Sequence, residues 1–397
     1  MTDSPTISDR RRLLAYASGG FGLGVSTLMY FLVPLRAAEM GVGVAVIGLL
    51  LGAEALTEMI VSVPLGGLID RAGARRAYLA GTLGLALVGV GFMLASSLAL
   101  LFVLQVAFGV ARPLGWLGGQ AYVSGMRSPA ERSQDSGRFS FVANLGQIVA
   151  PVLAGAAVQL AGVQVAFALV TLFGVAFFAV GLGLPDDRCQ APSQREGRAT
   201  FRPAARLLTL RGMQIVMLLT FTRLWLMSMW SAFLPLYLVG IGTAPGVVGS
   251  AVSTMALVAT LTSLLTGRIA RLGRATFVGA GGLAVSCAGV ALSPVVTTVP
   301  GLYLPAALVG IGMGLSLPML LVLVAANAPP GQRSLALGLR ASVNQGAATA
   351  APVLVAPVIG IVGLALGFPL AAVVGGLILC GAVSLEVCGP REGVGAA

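Results

Sequence analysis

Residues 66–76 read GGLIDRAGARR, a short polar break between two long apolar blocks at 44–69 and 77–97. Each block reaches the ~20 residues of helix that cross the ~30 Å hydrocarbon core of a bilayer. The break therefore reads as a tight loop at a membrane surface. Gly66 and Gly67 carry no side chain and suit close backbone approach, and Gly73 suits a sharp turn. Asp70 is an anion at the C-terminal end of its own helix, where the helix dipole disfavours it, so it should seek a donor from elsewhere. Arg71, Arg75 and Arg76 mark the loop as one on the cytoplasmic side.

The rest of the chain has the same character. It is 57% apolar and 9% charged, against roughly 25% charged in soluble proteins. So little charge cannot cover a water-facing surface. Apolar blocks recur at 13–35, 44–69, 77–97, 99–125, 137–160, 163–184, 213–239, 246–270, 275–293, 299–326, 335–358 and 363–387. They predict an all-α membrane protein with twelve transmembrane helices. The 55 glycines and 21 prolines fall inside many of these blocks, as membrane helices tolerate. Alternating ten-residue strands are missing, which argues against a barrel. Arg10–Arg12 precede the first block as in a secretory signal, but that block is too long for one and is expected to stay as the first span.

The net charge of +11 comes entirely from arginine, with no Lys and no His. With twelve spans, 21 arginines fall on the side of both termini and Arg36 alone on the other; Arg112 and Arg223 lie within spans. This asymmetry places both termini in the cytoplasm of a cell with the chain in its inner (plasma) membrane. It makes anionic lipid headgroups, not nucleic acid, the expected partner of the basic loops. Cys189, Cys287, Cys380 and Cys388 have neither metal-ligand spacing nor a disulfide framework.

Residues 185–212 are the one long polar interruption, with six arginines, and they divide the spans six and six. The expected organisation is an N-terminal six-helix bundle at 1–184, a cytoplasmic linker at 185–212 and a C-terminal six-helix bundle at 213–397. The halves match at an offset of 201: Pro34 with Pro235, Gly48 with Gly249, Arg132 with Arg333, Gly137 with Gly338 and Pro151 with Pro352. Gly67, Ile69, Arg71 and Gly73 meet Gly267, Ile269, Arg271 and Gly273 at an offset of 200. Six spans per half give a parallel repeat, whose substrate site is expected near the midplane between the halves.

The loop at 66–76, with Gly66, Asp70, Arg71, Gly73, Arg75 and Arg76, resembles the signature loop of the major facilitator superfamily. Ala270 replaces the acid in the second-half copy, as in that family. The resemblance extends over the whole chain in span count, linker and repeat. It implies the family's fold of two pseudo-symmetric six-helix bundles, alternating access, and a loop that latches the halves in the outward-facing state. Arg340, at the start of the eleventh span, is the expected partner of Asp70. The fifth span resembles the small-residue pattern of the family's drug/proton antiporter-type exporters in Gly137, Gly146, Pro151 and Gly155, with Ala150 and Ala154 where that pattern has glycine.

Ionisable residues within spans are costly and mark functional sites. Four occur here at similar depth: Glu54 and Glu58 in the second span, Arg112 in the fourth and Arg223 in the seventh. Their repeat equivalents are Met255, Ala259, Met313 and Gly22, so the four are additions to the scaffold. Glu54 and Glu58 are four residues apart and share a helical face. Two carboxylates so close in low dielectric resist joint ionisation, and with no His they are the midplane proton carriers. Arg112 can stabilise a carboxylate without releasing its own proton. It shares a stripe with Gln105, Phe108 and Trp116, and it resembles the functional fourth-span arginine of the family. Tyr30 and Asn344 lie on polar stripes of the first and eleventh spans. A structural ion pair between one glutamate and Arg112 is the plainer reading of the same residues.

The function expected is secondary active transport, as proton-coupled efflux of a small amphipathic molecule by a monomer without cofactor or metal. The alternative is uptake or exchange of an organic anion held by Arg112 and Arg223; a non-transporting sensor or assembly factor is a further one. No nucleophile–base pair, metal cluster or phosphate loop suggests an enzyme.

Overall fold

The computed structural model of the protein describes residues 14, 16–17, 19–125, 129–185, 206–269, 273–296, 298–329 and 332–388, less the side chains of 20–22, 63, 70, 124–125, 129–139 and 333–334. Most of the expected linker, together with Cys189, Ala270 and the side chains of Asp70 and Gly137, lies outside the described residues. Twelve helices run through the described residues in order. They are α1 (Gly19–Glu39), α2 (Val44–Ala72), α3 (Ala74–Leu94), α4 (Leu98–Gly125), α5 (Pro129–Ala166) and α6 (Ala168–Leu182). They continue as α7 (Arg211–Gly240), α8 (Pro245–Ile269), α9 (Ala275–Leu292), α10 (Tyr303–Asn327), α11 (Arg333–Val362) and α12 (Leu364–Val387).

Ten of these are long and apolar enough to cross a membrane, and α6 is a shorter apolar helix. The count of twelve spans therefore stands at ten by length and composition among the described residues. The expected sixth block at 163–184 is divided by local geometry. Gly162 takes a left-handed φ of 83° within α5, so the chain turns there and residues 163–166 already lead into α6. Large apolar side chains stand outward, Leu160 at 86% and Ile361 at 87% exposure. Such a surface is stable against lipid and aggregates in water.

Contacts divide the chain into two compact units. The first holds α1 to α6 together with Ser231–Ala256 and Pro352–Leu364. Its helices approach through small residues. A Cβ on Gly24 would lie 3.3 Å from the Gly146 carbonyl on α5, and one on Gly118 of α4 would lie 2.7 Å from the Tyr78 nitrogen on α3. Without a hydrophobic drive between helices in lipid, this close packing supplies the contact energy. In the second unit a core forms around Met213, Val216 and Met217 of α7, Leu283 of α9 and Leu320 of α10, with Leu335, Leu339 and Val343 of α11 packed on it. There the Trp225 indole donates to the Ala371 carbonyl at 3.0 Å and the Trp230 indole to the Ser293 hydroxyl at 3.1 Å.

The repeat is written into the backbone. Gly41 and Gly242, 201 apart, both have positive φ (75° and 87°), as do Gly162 and Gly363 (83° and 88°). After α1, the Val42 amide donates to the Ala37 carbonyl at 3.0 Å; after α7, the Thr243 amide donates to the Leu238 carbonyl at 2.9 Å. These matching six-to-one closures satisfy carbonyls left open at a helix end, and each needs a left-handed residue that glycine supplies without strain.

Candidate functional site

Three helices of the first unit converge on the glutamates of α2. The closest approach is at Gly109 of α4, where a Cβ would lie 2.7 Å from the Glu54 carbonyl oxygen and 2.8 Å from the Thr57 Cβ. Four residues on, Pro113 sits inside α4, and a proline there leaves the Gly109 carbonyl without its helical donor. A glycine and a displaced turn bring the α4 side chains onto α2, and Arg112 lies within that turn. The sequence reading passed over Gly109. Its position on α4, four residues before a mid-helix proline, was the available signal.

Arg112 is held between both acids. Its Nε donates to Glu54 Oε1 at 3.0 Å, its Nη2 reaches the same oxygen at 3.0 Å, and Nη2 also contacts Glu58 Oε2. The Tyr30 hydroxyl of α1 donates to the other Glu54 oxygen at 3.1 Å. The side chains of Glu54, Glu58 and Arg112 are 2%, 13% and 16% exposed, so the cluster is largely withdrawn from the surface. The Phe108 ring lies 6.0 Å from the guanidinium carbon, a distance at which a ring face attracts a cation. The Gln105 amide donates to the Leu50 carbonyl at 3.4 Å, which leaves its buried Oε1 as an acceptor without a donor among the described residues.

The cluster holds two acids and one permanent cation. A guanidinium neutralises one carboxylate; the second either keeps a bare charge in low dielectric or takes a proton. The fork of Arg112 spans the two acids. A simple ion pair would need one acid only.

The remaining expected residues fall elsewhere. Trp116 is half-buried on the α4 stripe. Arg223, Arg340 and Asn344 belong to the second unit. Arg112 is engaged by two carboxylates within the first unit. In the signature loop, Gly73 turns the chain with a φ of 94° and its amide donates to the Ile69 carbonyl at 2.9 Å. Gly66 and Gly67 differ from expectation: a Cβ at either would meet nothing within 4 Å among the described residues, so no close backbone approach requires them. Arg75 does something the sequence did not suggest. Its guanidinium donates to the Gly181 and Leu182 carbonyls at 3.2 and 3.1 Å, at the end of α6 where a cation suits the helix dipole. Arg71 and Arg76 are exposed. In the fifth span, Gly155 and Pro151 lie against the start of α8: a Cβ on Gly155 would overlap the Pro245 carbonyl, and one on Gly249 would overlap that of Pro151. Ala150 and Ala154 are fully buried.

Comparison with known proteins places this arrangement. The sequence profile of the Major Facilitator Superfamily matches residues 14–352, most of the chain. The protein is a member of the major facilitator superfamily. Among solved structures, a bacterial homologue of the human lysosomal transporter Spinster, inward-facing and unoccupied, has a TM-score of 0.78 at 14% identity, covering 96% of this chain and 97% of that one. A mutant of the nucleoside transporter NupG has a TM-score of 0.76 at 14% identity, covering 94% and 99%. These likenesses show that the two proteins share its fold. The MFS-type transporter ppzB of Metarhizium majus (strain ARSEF 297) is 28% identical over 127 residues, 32% of this chain. The ppzB protein of Metarhizium rileyi (strain RCEF 4871) is 27% identical over 112 residues. The match spans about a quarter of the length of these curated relatives, 27% and 23%. As a member of the superfamily the chain is a multi-pass membrane protein of transporter type.

Proposed function

We propose that this superfamily member is a proton-coupled secondary transporter that exports a small amphipathic molecule by alternating access. The observation that carries the reading is the ratio in the buried cluster: Glu54 and Glu58 share the single cation of Arg112. A proton on one acid balances the charge; moving Arg112 toward that acid would release it, and moving Arg112 away would let it bind. Export rests on the fifth-span pattern of Gly146, Pro151 and Gly155. The arginine asymmetry supports a cell inner membrane location with both termini cytoplasmic, and the repeat supports bundles at 1–184 and 213–397 joined by 185–212.

The test is flux of radiolabelled candidate substrates in inside-out vesicles, with and without a pH gradient. Glu54→Gln and Glu58→Gln each keep shape and remove a titratable group. Each is expected to lose gradient-driven uphill flux, at least tenfold, while folding normally. If the double variant still drives uphill transport with an unchanged proton stoichiometry, the coupling group lies elsewhere and the carboxylates are structural.

A further inference from the structure

Among the described residues, the second unit holds two arginines with no acid to answer them. Arg223 on α7 and Arg340 on α11 are both half-buried, and each has its Nε shielded from solvent without a hydrogen-bond partner among the described residues. Neither forms an ion pair among the described residues. The charged group that bears on Arg223 is Arg340, a like charge. The two elements share one core, since Leu335, Leu339 and Val343 of α11 pack on the cluster that includes Val216, Met217 and Leu219 of α7. The one described acid of this unit is Glu386, and it is already taken: Arg274 lies 3.5 Å from it and the Thr276 hydroxyl donates to it at 3.5 Å. Thr220, one turn from Arg223, also has a fully buried hydroxyl with no partner.

Two like charges that bear on each other inside a membrane-spanning unit repel in a medium that screens poorly, and the Nε of each is shielded from water. Such an arrangement is stable only if something negative completes it. The donors present are two planar guanidinium forks, which match the paired oxygens of a carboxylate or phosphate, with a hydroxyl beside one of them. Arg112 differs in kind: two carboxylates engage it, whereas the Nε of Arg223 and that of Arg340 have no acceptor among the described residues.

We infer that Arg223 and Arg340, with Thr220, form a binding site for a small anion bearing a carboxylate or phosphate group. This rests on the transporter reading for its purpose and names the charge of the substrate class. The Glu54–Arg112–Glu58 cluster handles the proton, and the Arg223–Arg340 pair holds the anionic end of an amphipathic substrate. The chemistry is the same whether the anion is a soluble metabolite or a lipid headgroup.

The experiment is a thermal-unfolding titration of the purified full chain with citrate, and separately with inorganic phosphate, against sodium chloride at equal ionic strength. Both probes are expected to raise the melting temperature beyond chloride, saturably. Arg223→Gln and Arg340→Gln should each weaken apparent affinity about tenfold or more, whereas Arg274→Gln, outside the pair, should leave it unchanged. If a Gln variant fails to fold, the Lys variant keeps the charge and loses the fork, and weaker binding is again expected. Repeating the titration in nanodiscs of phosphatidylcholine alone or with phosphatidylglycerol separates the sources. A headgroup site is occupied, and blind to citrate, only in the anionic nanodiscs; a soluble-anion site responds in both. Either pattern supports the anion site. A wild type no more stabilised by citrate and phosphate than by chloride overturns it, as do arginine variants that bind as well as wild type. The readout is binding without flux, so failed proton coupling in the glutamate variants would sink the transport reading and leave this result standing.

Discussion

Arg112 concentrates the chemistry of the first unit, because its one side chain satisfies two acids that would otherwise face each other. Removing it takes away the charge that favours the ionised carboxylates. Arg112→Gln is accordingly expected to change the pH dependence of flux. Substrate preference should change much less. Arg112→Lys should fail to restore the profile, since an ammonium cannot reproduce two parallel donations to Glu54 and still meet Glu58. Flux measured across pH for both variants decides the point. A profile that keeps its position while preference changes would make Arg112 a substrate ligand.

Helices in this fold meet where side chains are smallest, and the repeat sets those places in pairs. A Cβ on Gly48 of α2 would overlap the Pro352 carbonyl and the Ala356 side chain of α11, while one on Gly249 of α8 would overlap the Pro151 carbonyl of α5. Both crossings lie inside the first unit, and each residue stands 201 positions from its counterpart, with Ala356 in the place of Gly155. The obstruction is largely backbone, which cannot rotate away. Gly48→Ala and Gly249→Ala should therefore each destabilise by about 1–3 kcal/mol through overpacking. Thermal unfolding in detergent would show it; wild-type stability in both variants would mean these crossings are looser than drawn. A proline with a glycine or alanine four residues on was visible at 151–155 and 352–356. The identity of the opposing helix was not, because a helix's rotation about its own axis is set by its neighbours.

For the whole molecule, the loop at 66–76 carries the claim that reaches furthest. The sequence reading of it as a latch predicts that Asp70→Asn makes engineered cysteines on the cytoplasmic side more reactive to thiol reagents. Unchanged reactivity would leave the loop with its turn at Gly73 and the Arg75 contacts to the end of α6.

The sequence alone determined the class of molecule. Apolar blocks of helical length and a register of 201 follow from composition and spacing, and they survive because bilayer thickness and backbone satisfaction leave few alternatives. It also placed Glu54, Glu58 and Arg112 at one depth, since rise per residue is fixed. Only tertiary structure decided what they do there. Gly109 and Pro113 bring α4 onto α2, so that one guanidinium takes both acids; Tyr30 arrives from α1; and Arg223 comes to feel Arg340, although nothing in the spacing of 223 and 340 relates them. These are matters of helix rotation and close approach, which depend on the side chains of the neighbouring helix and cannot be read along a single strand of sequence.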